Sequence, residues 1–533
     1  MNGATGKKYL IESMVAGAAW LDYDGDDFQD LYVIQAHGHP DLALDGPGDK
    51  AQPFNRLYRN VDGGKAGGRR FEDVTEATGT GDRGYGMGVA VGDYNGDGWP
   101  DIYVNNYGRN TLYRNLEGRS GKGRRFEDVT AAAGVDANLW SSSATFADYD
   151  GDGHLDLYVA SYLNYDTRKD GACDMEVSGT DRTVPGYCHP KYFVGAQDIL
   201  FRNRGDGTLE NASQTVGLRA SGLREGKGLG VVATDFDRDG DIDFFVANDT
   251  VNNNLWRNDG KGHFEDAAFE LGFALNADGS PEAGMGLSRG DVNGDGSLDY
   301  FVTNFSRETN TLYLNYDGFL EDSTIRVGLA RGGHLPLGFG TVLFDYDLDG
   351  ALDVYITNGH VLDNVELLNP GERIPYGQPD LLFRNAGRRF DDVSKQSGGW
   401  FEKAHVGRSV AVADYDNDGD PDLLVTHVGE PAVLLENRAG NGKNWIGLDL
   451  SPPPGGKAVT HNAWVELRLA GSGPARRVHE VQTDGSYAAA HDPRVSFALP
   501  KGVAQASVRV VWPGGASKSY EGLAAGRYHR IVP

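Results

Sequence analysis

A loop of the form D-x-D/N-x-D-G-x-x-D recurs seven times along this 533-residue chain, each time between two short apolar runs. The copies begin at Asp22, Asp93, Asp148, Asp235, Asp291, Asp345 and Asp414. Positions 1, 3, 5 and 9 carry the side-chain oxygens. They are Asp22, Asp24, Asp26 and Asp30 in the first copy, then Asp93, Asn95, Asp97 and Asp101, and then Asp148, Asp150, Asp152 and Asp156. The fourth and fifth copies hold Asp235, Asp237, Asp239 and Asp243, and Asp291, Asn293, Asp295 and Asp299. The last two hold Asp345, Asp347, Asp349 and Asp353, and Asp414, Asp416, Asp418 and Asp422. Closely spaced carboxylates in a tight loop are what a calcium ion requires: several hard oxygen donors at flexible geometry. The carbonyl of the seventh residue, His154 in the third copy, is expected to add a ligand. The sixth position must turn sharply, which glycine does at least cost; only the first copy departs, with Asp27 there. Up to seven calcium ions are therefore expected.

EF-hands are excluded. That loop needs a bidentate glutamate at its twelfth position and flanking helices. Here the twelfth residues are Val33, Val104, Val159, Val246, Val302, Ile356 and Val425, inside strand-like runs. Asp-Gly pairs alone would be turn chemistry, but one frame kept through seven copies is not.

Repetition at this spacing predicts a stacked or ring architecture. In the second repeat, residues 86–93 form a strand entering the loop, and Asp101-Ile-Tyr-Val-Asn-Asn leaves it. Asn110-Thr-Leu-Tyr-Arg-Asn115 and Phe126-Glu-Asp-Val-Thr130 follow. Four short antiparallel strands repeated seven times predict an all-β fold, a seven-bladed β-propeller over residues 1–440. A small C-terminal β-sandwich-like domain is expected over 441–533. Paired glycines such as Gly86/Gly88, Gly228/Gly230, Gly284/Gly286 and Gly338/Gly340 share one strand face, which suits inner strands crowding toward an axis. The seventh repeat lacks an F-x-D-V-T run. Either Lys7-Lys8-Tyr9-Leu10-Ile11 or a strand near Trp445 is expected to close the ring.

The formal charge of −27 would ordinarily suggest a cationic partner. The 26 aspartates of the loops account for nearly all of it, leaving −1 without them. Acidity is thus metal chemistry, and it argues against nucleic-acid binding. No apolar run approaches a membrane span. Cys173 and Cys188 are the only cysteines and read as a disulfide, whose loop closure is worth roughly 3 kcal/mol. Such a bond and weak calcium sites place the chain outside the cytoplasm, extracellular or periplasmic, with an export signal expected to have been removed.

Blades and tail together resemble the FG-GAP/VCBS propellers joined to an ASPIC/UnbV domain, the cartilage acidic protein-like family. The resemblance rests on Glu282-Ala-Gly-Met-Gly286, Asn248-Asp-Thr250 and Thr357-Asn-Gly-His-Val361 in the propeller. In the tail it rests on Asn444-Trp-Ile-Gly447, Asp484-Gly-Ser-Tyr487, Asp492-Pro-Arg494 and Val511-Trp-Pro-Gly514. It implies a calcium propeller with a small C-terminal β domain and no particular activity, since fold does not give function.

Function is expected where the repeat breaks. Off-pattern residues gather on the rim opposite the loops, and the insertions 36–54, 162–197 and 359–379 fall there too. A ligand pocket is expected at the channel mouth on that rim, for a protein, glycan or small molecule. The alternative is an enzyme (alkylating, cyclising or hydrolytic) with Arg408, His405, Tyr85, Glu282, Lys227 and His360 as candidate catalytic groups. The bland reading is that these polar groups satisfy strand ends and contacts between blades. H-E-x-x-H, G-x-S-x-G, P-loop and C-x-x-C signatures are absent, and the thirteen histidines are too dispersed in sequence to specify a zinc or copper site.

Overall fold

The computed structural model describes residues 6–15, 17–36, 54–64, 67–118, 123–218, 226–450, 459–469 and 477–532. It is built almost wholly of strands. Seven antiparallel sheets follow one another, each starting with an inner strand that runs into an aspartate loop. The inner strands are Ala18–Leu21, Tyr85–Gly92, Asn138–Ala147, Gly228–Thr234, Leu287–Gly290, Gly338–Phe344 and Gly407–Ala413. Each packs against the next, and the seventh against the first, so the sheets form a closed ring. The second strands are buried on both faces, as in Asp156–Ser161, because neighbouring sheets cover them. Their aromatic and β-branched residues fill that two-sided environment; Phe245 and Tyr300 of adjacent sheets stack at 4.0 Å.

A repeated asparagine ties the ring together. Asn60, Asn115, Asn203, Asn258, Asn315, Asn385 and Asn437 lie at or within two residues of the ends of the third strands. Each backbone N–H donates to the ninth-position aspartate of its own loop at 2.7–2.9 Å. Each Nδ2 donates to a carbonyl in the preceding sheet's loop, at Tyr415, Tyr23, Tyr94, Tyr149, Phe236, Val292 and Tyr346 in turn. The bond from Asn60 to Tyr415 O, 2.8 Å, joins the first sheet to the seventh.

Ring closure differs from expectation. The seventh sheet has three strands, Gly407–Ala413, Asp422–His427 and Val433–Leu435, and among the described residues no segment adds a fourth. Leu10–Ser13 is a 3-10 helix packed in the channel mouth. Trp445 lies in Asn444–Asp449, a strand of the C-terminal domain. Side-chain packing replaces the missing strand: Trp20 Nε1 donates to Ala411 O at 3.2 Å, and its ring stacks on Tyr415. A second break lies between the second and third sheets. The strand Asp101–Arg109 runs long enough to pair with Asn138–Trp140, merging the two sheets at the rim.

The C-terminal domain is a sandwich. One sheet is Val495–Leu499, Asn444–Asp449 and Tyr528–Arg530; the other is Arg477–Glu480, Trp464–Arg468, Gln505–Val511 and Ser517–Ala524. Ile446, Val465, Val495, Val508 and Val510 make its core. It sits on the aspartate-loop face of the ring. Arg494 donates to Asp414 O and Asn417 Oδ1, Tyr528 to Asp414 Oδ2, and Arg530 to Asp27 Oδ1.

Candidate functional site

The loops are built by their own aspartates. The first-position carboxylate accepts a backbone N–H bond from position 6 in every loop and from position 5 in all but the fourth, as in Asp152 and Gly153 to Asp148, 3.1 and 2.9 Å. Position 6 takes positive φ in every copy, from Gly98 at 83° to Gly240 at 100°. Asp27 does so as well, at 68°, a conformation that aspartate tolerates better than most residues. Carboxylate oxygens of positions 1, 3 and 9 converge within 4.8 Å in four loops: Asp22/Asp24/Asp30, Asp148/Asp150/Asp156, Asp345/Asp347/Asp353 and Asp414/Asp416/Asp422. In the fourth loop the convergent set is Asp235, Asp237 and Asp239. Asn95 and Asn293 hold position 3 in the remaining two.

These carboxylates are strained electrostatically. Burial raises Asp30, Asp156 and Asp422 to about 9, with repulsion from loop neighbours adding to it. Asp22 and Asp148 rise to about 6 for the same first reason. Oxygen donors that are desolvated and mutually repelling fit a hard divalent cation, which would supply the missing positive charge. Oδ2 of Asp243, Asp353 and Asp422 is buried without a hydrogen-bond partner among the described residues, so it is free to face an ion.

An arginine on the third strand also crosses several loops. Arg59 pairs with Asp24 and Asp26, Arg202 with Asp150 and Asp152, and Arg384 with Asp347 and Asp349. The seventh loop has Glu436 at that place instead, beside Asp420, and both add repulsion.

The axial channel is filled. From the loop side, residues 483–492 of the C-terminal domain reach down the axis and touch all seven inner strands. Thr483 donates to Val91 O, Asp484 accepts from Thr145 Oγ1 and Ala233 N, and Ser486 bridges Leu287. Ser486 Oγ accepts from Thr341 N, Ala488 N donates to Ser143 Oγ, Ala489–Ala490 pair in parallel with Ala18–Ala19, and Val412 N donates to His491 Nδ1. Gly88 and Gly340 leave room, since a Cβ there would meet Ala488 or Ser486. Buried Arg289 binds Glu480 and Asp484 at 2.6 Å each. From the other side Leu10, Ile11, Met14, Leu163 and Tyr187 pack against Tyr487. Cys173 and Cys188 are bonded, with Cα atoms 5.1 Å apart, in the segment that supplies Tyr187.

The six rim candidates do not form one constellation. Arg408 is wholly buried and spends its guanidinium on the carbonyls of Ser13, Gly359, Gly407 and His360, over the Phe339 ring. His360 is buried beside it, Nδ1 accepting from Leu362 N. Tyr85 is buried near Glu12 and Tyr187. Lys227 Nζ donates to Pro190 O and Thr250 Oγ1, at 3.2 Å each. Glu282, raised to about 7 by burial, accepts from Asn304, Thr311 and Asn276. His405 lies at the seventh sheet against Trp400 and Glu430. At the channel mouth, where the sequence placed a pocket, Leu10, Ile11, Met14 and Tyr487 fill the axis among the described residues; the insertion 36–54 lies almost entirely outside the described residues. An open concavity of that face lies off-axis, where the second and third sheets merge. It is a cleft of about 650 Å³ lined by Arg83, Tyr107, Arg109, Trp140, Asn164, Tyr165 and Arg168.

The axial role of the tail was missed in the sequence. One signal was present: Arg289 interrupts an apolar inner strand, where the other repeats carry no charge at the matching place.

The ring of strand sheets with a sandwich on its loop face defines a β-propeller protein with an appended β domain. Comparison with known proteins agrees. FG-GAP-like repeats match at residues 22–104, 93–159, 291–356 and 373–425, and the ASPIC and UnbV model at 456–533. The chain belongs to the FG-GAP/ASPIC–UnbV family. It is 24% identical to cartilage acidic protein 1 of Mus musculus over 81% of this chain, and 25% identical to the Homo sapiens protein over 84%. It spans 62% and 63% of those relatives' lengths. Among solved structures, an Agrocybe aegerita lectin that recognises non-reducing terminal N-acetylglucosamine aligns at TM-score 0.41 and 15% identity, over 78% of this chain and 86% of that one. The Dos1 propeller aligns at TM-score 0.31 and 10% identity, over 84% and 95%.

Proposed function

We propose that the chain is an exported, calcium-stabilised propeller that binds a protein, glycan or small-molecule ligand on the rim opposite its aspartate loops. The carrying observation is the cleft at the merged second and third sheets, a place where the repeat pattern is broken on that rim. Its lining suits binding. Trp140, Tyr107 and Tyr165 pack edge-to-face at 4.9–6.0 Å and offer an aromatic wall, while Arg83, Arg109 and Arg168 stand at its edge. Aromatic faces take sugar rings or apolar side chains, and arginines take carboxylate or sulfate groups. Binding is favoured over catalysis because the candidate acids and bases are dispersed and engaged with neighbouring protein groups, Arg408 and His360 with backbone and Glu282 and His405 with side chains.

Binding to a glycan and peptide array, with Arg109→Ala and Tyr165→Phe alongside wild type, tests this. A ligand lost in Arg109→Ala while the melting temperature holds supports the cleft. Equal binding by wild type and both variants contradicts it.

A further inference from the structure

Two histidines distant in sequence meet on the rim of the seventh sheet. His427 ends the strand Asp422–His427, and His405 precedes the strand Gly407–Ala413, held by a backbone bridge to Gln378. Their ring centroids are 5.0 Å apart. Trp400 stacks on His405 at 4.3 Å and 10°, its own Nε1 donating to Asp380 at 2.8 Å, so the imidazole plane is fixed from behind.

The hydrogen bonds decide the tautomers. His405 Nδ1 lies 2.7 Å from Glu430 Oε2, and His427 Nδ1 lies 3.1 Å from Pro431 O. A carboxylate and a carbonyl only accept, so both Nδ1 atoms carry the proton. In neutral rings each Nε2 then presents a bare lone pair. Both Nε2 atoms are buried and have no hydrogen-bond partner among the described residues, not even each other. His427 as a whole is 4% exposed. Two buried acceptors side by side require either a shared donor or a Lewis acid. Nδ1–H donated to a carboxylate or a backbone carbonyl, with Nε2 free, is the outer-shell arrangement of metal-ligating histidines.

We infer that His405 and His427 form a site for a divalent transition-metal ion of zinc type, separate from the aspartate loops. Imidazole nitrogen suits zinc, copper and nickel, whereas the all-oxygen loops suit calcium. Asp380 is engaged by Tyr355, Trp400 and Asn358 N and so does not serve as a further ligand. Glu430 is a positioning residue that holds the His405 ring.

Zinc and cobalt titrations of the full chain in excess calcium test the site, with the loops already saturated. Wild type is expected to take up one equivalent of zinc and to give a cobalt spectrum with nitrogen ligands. His405→Gln and His427→Gln should each weaken that equivalent at least tenfold, and Glu430→Gln about 10- to 100-fold. Should His427→Gln fold poorly, the more peripheral His405→Gln still decides. Identical zinc uptake by wild type and His405→Gln overturns the inference. So does a zinc-soaked crystal with no anomalous peak between the rings, which would mean a bridging water alone.

Discussion

At the residue scale, two side-chain types make the ring. The ninth-position aspartate accepts from the asparagine at or near the end of the third strand, and that asparagine reaches the preceding sheet. Asn203 is a fully described case, with Nδ2 bonded to Tyr94 O and Leu155 O at 2.7 and 2.8 Å. Replacing it by alanine leaves two buried carbonyls without that donor. The expected cost is about 1–3 kcal/mol, since a buried polar group left unsatisfied bears its desolvation penalty uncompensated. Denaturant melts in saturating calcium measure it; a change below about 0.5 kcal/mol, the scatter of surface substitutions, would remove the asparagine from the account. The recurring Arg-Asn ending of the third run was visible in the sequence. Its role was not, because the partner carbonyl belongs to the previous repeat, 92 residues away for Asn115.

At the scale of elements, the seven loops were readable because all their groups lie within nine residues of one another. The tail segment was not. Asp484-Gly-Ser-Tyr487 is a recognisable motif, but the partners of the whole segment 483–492 are single positions on seven separate strands. The seventh sheet's missing strand was readable as an absence; its replacement by Trp20, Tyr415 and the pair Ala489–Ala490 depends on packing that no local pattern encodes. The rim residues were found and their burial was not, since an insertion folding back over the axis is invisible in one repeat. Acid should loosen the axial segment first. His491, facing Asp484 and Arg289, and His479, facing Arg289, are held down to about 4, chiefly by burial. Their unfolded value is near 6.5, so between about 6.5 and 4 the unfolded chain takes up more protons and stability falls as pH falls. His491→Gln should flatten that fall in the melting temperature; a slope equal to wild type would show that His491 plays no part.

At the scale of the molecule, the charge of −27 and the docking of the C-terminal domain belong to one problem. The aspartate loops crowd one face, and the sandwich covers that face with Arg494, Arg530 and Tyr528. Tyr528 bonds Asp414, a first-position loop aspartate, so filling the seventh loop and seating the tail involve the same carboxylate. Calcium is therefore expected to stabilise ring and tail together. An ion present at a hundred times its dissociation constant contributes about 2.7 kcal/mol per site when it binds only the folded chain. The most direct test is calorimetry of the full chain after chelation and again after calcium is restored. Seating of ring and tail by calcium predicts a large fall in melting temperature on chelation, recovery with calcium, and one joint transition in the loaded form. A melt unchanged by chelation would contradict it.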